Sequence, residues 1–96
     1  MISRSELRLG TPALGTAFHY VYIIQSRHSG EHFYSGFTEN LDDRLKHHNS
    51  GAVPATAPYC PWQFKTVVAF TDREQAVAFE RYLKTQSGRA SAKKRL

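Results

Sequence analysis

The sequence holds a single cysteine, Cys60. An intramolecular disulfide is therefore excluded, and so is a zinc site built on several thiolates. A reducing cytoplasm is the expected compartment. No apolar run comes near the roughly 20 residues that span a bilayer, so no membrane partner is expected. The N-terminus mixes Arg4, Glu6 and Arg8 without an apolar stretch, which is unlike a signal peptide. Also missing are a Walker-type phosphate loop, the glycine fingerprint of nucleotide folds, a paired-histidine zinc helix and a nucleophilic-serine elbow. There are no internal repeats and no low-complexity tracts.

Ninety-six residues make one domain with one modest core. An apolar content of 41% is ordinary for a folded chain and argues against general disorder. The net charge is +5 with the histidines neutral, and it is unevenly spread. Residues 89–95 hold Arg89, Lys93, Lys94 and Arg95 and no acid. Such a segment suits a polyanion such as nucleic acid. The plainer alternative is a solvated helix face that aids solubility.

Residues 1–17 show no periodicity and are expected to form a loose N-terminal arm, leaving residues 18–96 as the domain. Phe18 to Gln25 has the composition of a strand, residues 26–30 of a turn, and His32 to Phe37 of a second strand. Pairing Gln25 with Glu31 would set Tyr22 opposite Tyr34 in this hairpin. Asn40 suits a helix N-cap, with Asp42 and Asp43 in the positive first turn and Gly51 at the end. Leu41 and Leu45 should face the core, while Arg44 and His48 share another row. Residues 51–61 read as a loop. Phe64, Thr66, Val68 and Phe70 alternate onto one face of a third strand. Thr71 and Glu74 form a capping box for a helix from Asp72 to about Thr85. Ser87-Gly88 ends it, and a short basic helix follows. The expected fold is a small α/β (α+β) domain, ββαβα. It has a three-stranded, mostly antiparallel sheet flanked by helices, with an extra C-terminal helix.

Glu80 is the residue that most needs explaining. It lies among Ala76, Val77 and Leu83 in the helical stripe, where a carboxylate is costly unless paired or bound to a metal. Its plainer reading is an edge position paired with Lys84 at i,i+4. Arg44 has the planar fork that suits a phosphate, although beside Asp42 and Asp43 it also reads as a surface ion-pair partner. His48 alone would be an exposed helix histidine. Tyr22 and Tyr34 alone would be packing residues.

Their order changes these readings. Tyr20-Val21-Tyr22-Ile23, Tyr34-Ser35-Gly36, Leu41-Asp42-Asp43-Arg44-Leu45, His48-Asn49-Ser50-Gly51 and Ala78-Phe79-Glu80-Arg81-Tyr82-Leu83-Lys84 together resemble the GIY-YIG nuclease superfamily. The resemblance runs from about Phe18 to the C-terminus and is nearest to small stand-alone members. It resembles, too, the nuclease domain of the excinuclease C repair subunit. Pro61-Trp62 and the tail from Ser87 to Leu96 fit the same pattern. Gly-Ile of the first name-giving motif is here Tyr20-Val21, and Ile of the second is Ser35. Phe37 stands where some members carry a lysine, which removes one cation.

The resemblance implies a divalent-metal-dependent endonuclease that hydrolyses phosphodiester bonds in DNA, in repair or in processing of structured DNA. Glu80 would bind one Mg²⁺, with Mn²⁺ as the alternative, and Arg44 would hold the scissile phosphate. Tyr22 would orient and deprotonate water, with His48 as helper or rival base, and Tyr34 would contact the phosphate. The two hydroxyls should then meet Glu80 and Arg44 on one concave, solvent-open patch. Either ring sealed in the core, or the two hydroxyls on opposite faces of the sheet, would sink this two-tyrosine site and leave the nucleic-acid-binding reading ahead. Arg44, Lys84, Arg89, Lys93, Lys94 and Arg95 are the candidate nucleic-acid contacts. A partner protein is expected to supply specificity. The alternative function is a nucleic-acid-binding repair-accessory domain with little catalysis. A third is an interaction role for Tyr20, Tyr59 and Trp62.

Overall fold

The computed structural model describes residues 18–96; the expected arm over residues 1–17 lies outside them. Three strands, β1 (His19–Ser26), β2 (Phe33–Thr38) and β3 (Trp62–Phe70), form one antiparallel sheet in the order β2-β1-β3. Three helices accompany it: α1 (Leu41–Asn49), α2 (Arg73–Lys84) and α3 (Gln86–Arg95). A single 3₁₀ turn, Ala57–Tyr59, interrupts the connection between α1 and β3. The architecture is the expected α+β domain with its extra helix.

β1 is the central strand, and its alternating side chains feed two cores. Tyr20, Tyr22 and Ile24 point to one face, with Leu41 and Leu45 of α1 and with Trp62, Phe64 and Val67. Val21 and Ile23 point to the other, with Ala76, Phe79 and Leu83 of α2 and Ala92 of α3. Burial of Leu41 alone stabilises the first face by about 1.5–3 kcal/mol. The sheet thus separates α1 from α2 and α3.

Several local expectations differ from the structure, each for an identifiable reason. Gln25 pairs with Phe33 and Tyr22 with Gly36, two residues away from the expected register. The hairpin loop is longer than its turn signals suggest. A shift of two preserves the face, so Tyr22 and Tyr34 still point to the same side. In β3, Ile23 pairs with Thr66 and Ile24 with Phe64, leaving Lys65 as an extra residue. This β-bulge reverses the alternation, so Phe64 joins the α1 face with Val67 while Phe70 joins the α2 face. Asp72 caps α2 by accepting from the Glu74 amide at 2.9 Å; the Thr71 box does not form, because the carboxylate one residue on is the stronger cap. The break between α2 and α3 falls at Thr85, which caps α3 through the Gly88 amide at 3.0 Å. Gly88 lies inside α3, where a Cβ would collide with the Tyr82 carbonyl. α1 follows expectation: Asn40 accepts from the Asp43 amide at 3.1 Å, and Gly51 has φ 80°.

Candidate active site

Tyr22 occupies the middle of the central strand, between Gly36 of β2 and Val67 of β3. Its ring is 1% exposed and stacks edge-on against Phe64 and His48. This overturns the expected solvent-open tyrosine and meets the sealed-ring condition set against the two-tyrosine site: the ring is in the core, and only its polar end reaches the groove wall. The hydroxyl gets there by passing over Gly36. A Cβ at Gly36 would collide with the Tyr22 hydroxyl and crowd Cζ at 2.6 Å. The glycine of the Tyr34-Ser35-Gly36 segment therefore has a steric reason that its sequence position does not reveal.

The Tyr22 hydroxyl lies 2.8 Å from Nε2 of His48. His48 closes the last turn of α1 and is 2% exposed, contrary to the exposed histidine that its helix position suggests alone. Its Nδ1 lies 2.9 Å from the Thr56 hydroxyl. Burial, then the Arg44 and His47 charges, push the imidazole down to about 4, so at neutral pH it is uncharged. Burial also raises the Tyr22 phenol above its usual 10; Arg44 opposes this as a nearby charge and donor, while Tyr34 and Glu80 add to it. Tyr22 is thus a phenol and not a standing phenolate, and a base role for it requires an acceptor for its proton.

Arg44 stands one helical turn before His48, at the exposed rim. Among the described residues it makes no ion pair: Asp42 pairs with Lys46 at 3.2 Å, and Asp43 accepts from Asn40 at 3.0 Å. The guanidinium is left to face the groove. Tyr34 sits beside it, its ring edge-on to His48 with centroids 5.3 Å apart.

Glu80 and Lys84 belong to α2, behind the sheet, yet both reach the groove around the edge strand β2. The Lys84 ammonium donates to the Ser35 carbonyl at 2.6 Å, lies 4.4 Å from the Tyr34 ring centroid and sits 3.8 Å from Glu80. Glu80 is consequently not inside the apolar stripe of α2, which is made by Ala76, Phe79 and Leu83. It lies at the stripe's edge with 22% of its side chain exposed. Lys84 brings an ammonium to the strand edge where Phe37 supplies none.

Tyr22, Tyr34, Arg44, His48, Glu80 and Lys84 all line one groove of about 680 Å³ that opens to solvent. Arg89, Lys93, Lys94 and Arg95 do not; they are exposed along α3. Among the described residues no three His, Cys, Asp or Glu side chains cluster as a ready cage for a metal. A single carboxylate fits a hard cation such as Mg²⁺, which keeps most of its water and completes its shell with substrate phosphate. Glu80 is the residue that could hold it. Sequence reasoning missed Thr56 and the steric role of Gly36. The contact of Thr56 with His48 is tertiary, and no spacing rule announces it.

Residues 18–95 match the family model described as the GIY-YIG catalytic domain. A UPF0213 protein of Halalkalibacterium halodurans is 33% identical over 72 residues, 74% of each chain. A UPF0213 protein of Bacillus licheniformis is 32% identical over 73 residues, 75% of this chain and 73% of the relative. One from Haloquadratum walsbyi is 32% identical over 69 residues, covering 71% and 75% respectively. These relatives are small stand-alone members, and their names specify no activity. No described helix is long and apolar enough to cross a membrane. The chain belongs to the GIY-YIG catalytic domain family, a nuclease superfamily.

Proposed function

We propose that this protein is a metal-dependent endonuclease that hydrolyses phosphodiester bonds in DNA and serves in repair or in processing of structured DNA. The observation that carries this reading is the convergence of Tyr22, Arg44, His48 and Glu80 on one open groove. Arg44, with no acid to neutralise it, binds the scissile phosphate. Burial is the main cause that holds His48 down and the Arg44 charge the next; the phosphate charge offsets the second and so raises the basicity of the ring. The attacking water gives a proton to the Tyr22 oxygen as the phenol proton passes to His48 Nε2. The water oxygen then bonds to phosphorus, the bond to the 3′ oxygen breaks, and that oxygen takes a proton from solvent. Tyr34 orients the phosphate from the side. Glu80 would hold a divalent cation, Mg²⁺ or Mn²⁺, which supplies charge stabilisation to the leaving oxygen when bound. The compartment is a reducing cytoplasm, and a partner protein supplies specificity.

One observation favours a second reading, a nucleic-acid-binding accessory domain. Glu80 is already paired with Lys84, so a cation must displace an ammonium. Together with the sealed Tyr22 ring, this describes a groove that binds a polyanion without cutting it. The deciding experiment is cleavage of a panel of branched, nicked and linear DNAs and of RNA, with and without Mg²⁺ or Mn²⁺, beside Glu80→Gln. Metal-dependent cuts lost in Glu80→Gln support the nuclease. Tight, salt-sensitive binding with no cuts at any metal concentration selects the accessory domain.

A further inference from the structure

We propose that Thr56 is a positioning residue that selects the tautomer of His48 and so sets the direction of the Tyr22 hydrogen bond. The inference rests on the reading that Tyr22 acts on the attacking water, and it extends that reading to a residue outside the helix that carries His48.

Thr56 is fully buried in the connection between α1 and β3. It is held at both ends of its backbone. Its amide donates to the Val53 carbonyl at 3.1 Å, and its carbonyl accepts from the Trp62 indole at 2.9 Å. The hydroxyl is thereby presented to Nδ1 of His48 at 2.9 Å, with the Val53 carbonyl as a further acceptor at 3.4 Å.

Arg44 lines the same groove as Tyr22, and a guanidinium has only donors, so it can meet the phenol only at its oxygen. The phenol proton then needs an acceptor, and Nε2 of His48 is the one at hydrogen-bond distance. A neutral imidazole that accepts at Nε2 carries its proton at Nδ1. That proton goes to the Thr56 oxygen, and the Thr56 proton goes to the Val53 carbonyl. Four groups form one directed chain, Tyr22 to His48 to Thr56 to Val53. The opposite direction would aim both Arg44 and Nε2–H at one phenol oxygen. It would also turn the phenol proton into the groove, where the oxygen must instead accept from water.

Nitrogen-15 NMR of the imidazole in the metal-free, substrate-free protein reads the tautomer directly, with His48→Gln assigning the signal. His48 protonated at Nδ1 is expected; a wild-type ring protonated at Nε2 overturns the proposal. Thr56→Val keeps the shape and removes the hydroxyl. It should move the proton toward Nε2 and lower kcat about 10- to 100-fold with KM little changed, by analogy with the loss of a partner that fixes the tautomer of a metal-bound imidazole. Thr56→Ser should restore both. An unchanged tautomer in a folded Thr56→Val, or a Thr56→Ser that keeps the wild-type tautomer but loses as much kcat as Thr56→Val, overturns it. If Thr56→Val does not fold, the wild-type tautomer and the serine variant still decide. The NMR result stands apart from whether the protein cuts DNA at all.

Discussion

The Tyr22 hydroxyl passes directly over its cross-strand partner Gly36 to reach the groove. One residue supplies the polar group and the other supplies the gap. Gly36→Ala should therefore cost about 1–3 kcal/mol of stability, the usual range for overpacking a tight site, and should abolish cleavage. In a Tyr22→Leu background the same change should cost less, because the hydroxyl and the Cζ that collide are both gone. Chemical denaturation of the four proteins of this double-mutant cycle measures the difference. Equal costs in both backgrounds would remove the steric account.

Glu80 is partly exposed and contributes nothing to either core. Glu80→Gln should leave the fold intact and reduce cleavage by orders of magnitude, since metal stabilisation of developing charge is worth several kcal/mol. Lys84→Met should weaken phosphate binding and raise the affinity for Mg²⁺ by freeing the carboxylate, which calorimetric titration in the absence of DNA would show. Full activity in a well-folded Glu80→Ala would falsify the metal-ligand assignment.

Much of the fold was legible because its determinants are local. Asn40 and the glycine after α1 mark that helix by capping chemistry, and the Tyr, Val and Ile of β1 mark a strand. What was not legible depends on partners distant in sequence. The bulge at Lys65 appears only against β1, and it overturns a face assignment that alternation alone supports. The exact hairpin register depends on loop geometry, yet the face of Tyr22 and Tyr34 survived because the offset was even. At the site, the family pattern named Tyr22, Tyr34, Arg44, His48 and Glu80, and the structure brings these five to one groove. It could not indicate that Lys84 crosses the edge strand, that Glu80 leaves the apolar stripe, or that Thr56 touches His48. Those are consequences of packing.

Arg44 and the basic stretch of α3 occupy different places, which predicts different kinetic signatures. Arg44→Ala should depress kcat more than DNA affinity, because the phosphate charge it meets grows in the transition state. Neutralising Lys93, Lys94 and Arg95 should weaken binding and flatten its salt dependence, by about one unit of slope for each phosphate that no longer meets a cation. Measurements of binding against salt, and of single-turnover rates, separate the two. Equal losses of affinity with unchanged turnover in both variants would count against distinct roles.

The buried imidazole of His48 ties stability and activity to acid pH. Its folded value of about 4 lies below the ordinary 6.5. Above 6.5 the ring is neutral in both states and adds no pH dependence. As pH falls from 6.5 toward 4, the unfolded chain takes up a proton that the folded chain refuses, so stability declines across that window and levels off below it. Each tenfold difference in proton affinity between the two states is worth about 1.4 kcal/mol; screening by water in the groove reduces the total to about 2 kcal/mol. His48→Gln lacks this titration, and the carboxylates common to both proteins cancel in the comparison. Denaturation midpoints of wild type and His48→Gln should therefore converge as the pH drops from 6.5 to 4. The same neutral ring must accept the Tyr22 proton, so kcat/KM, which follows the free protein, should show no acid limb near 6.5 and should fall only as pH approaches 4. A limb at 6.5 in kcat/KM, with no matching decline in relative stability, would mean that His48 is solvated and titrates freely, and the Tyr22–His48 pair would lose its role.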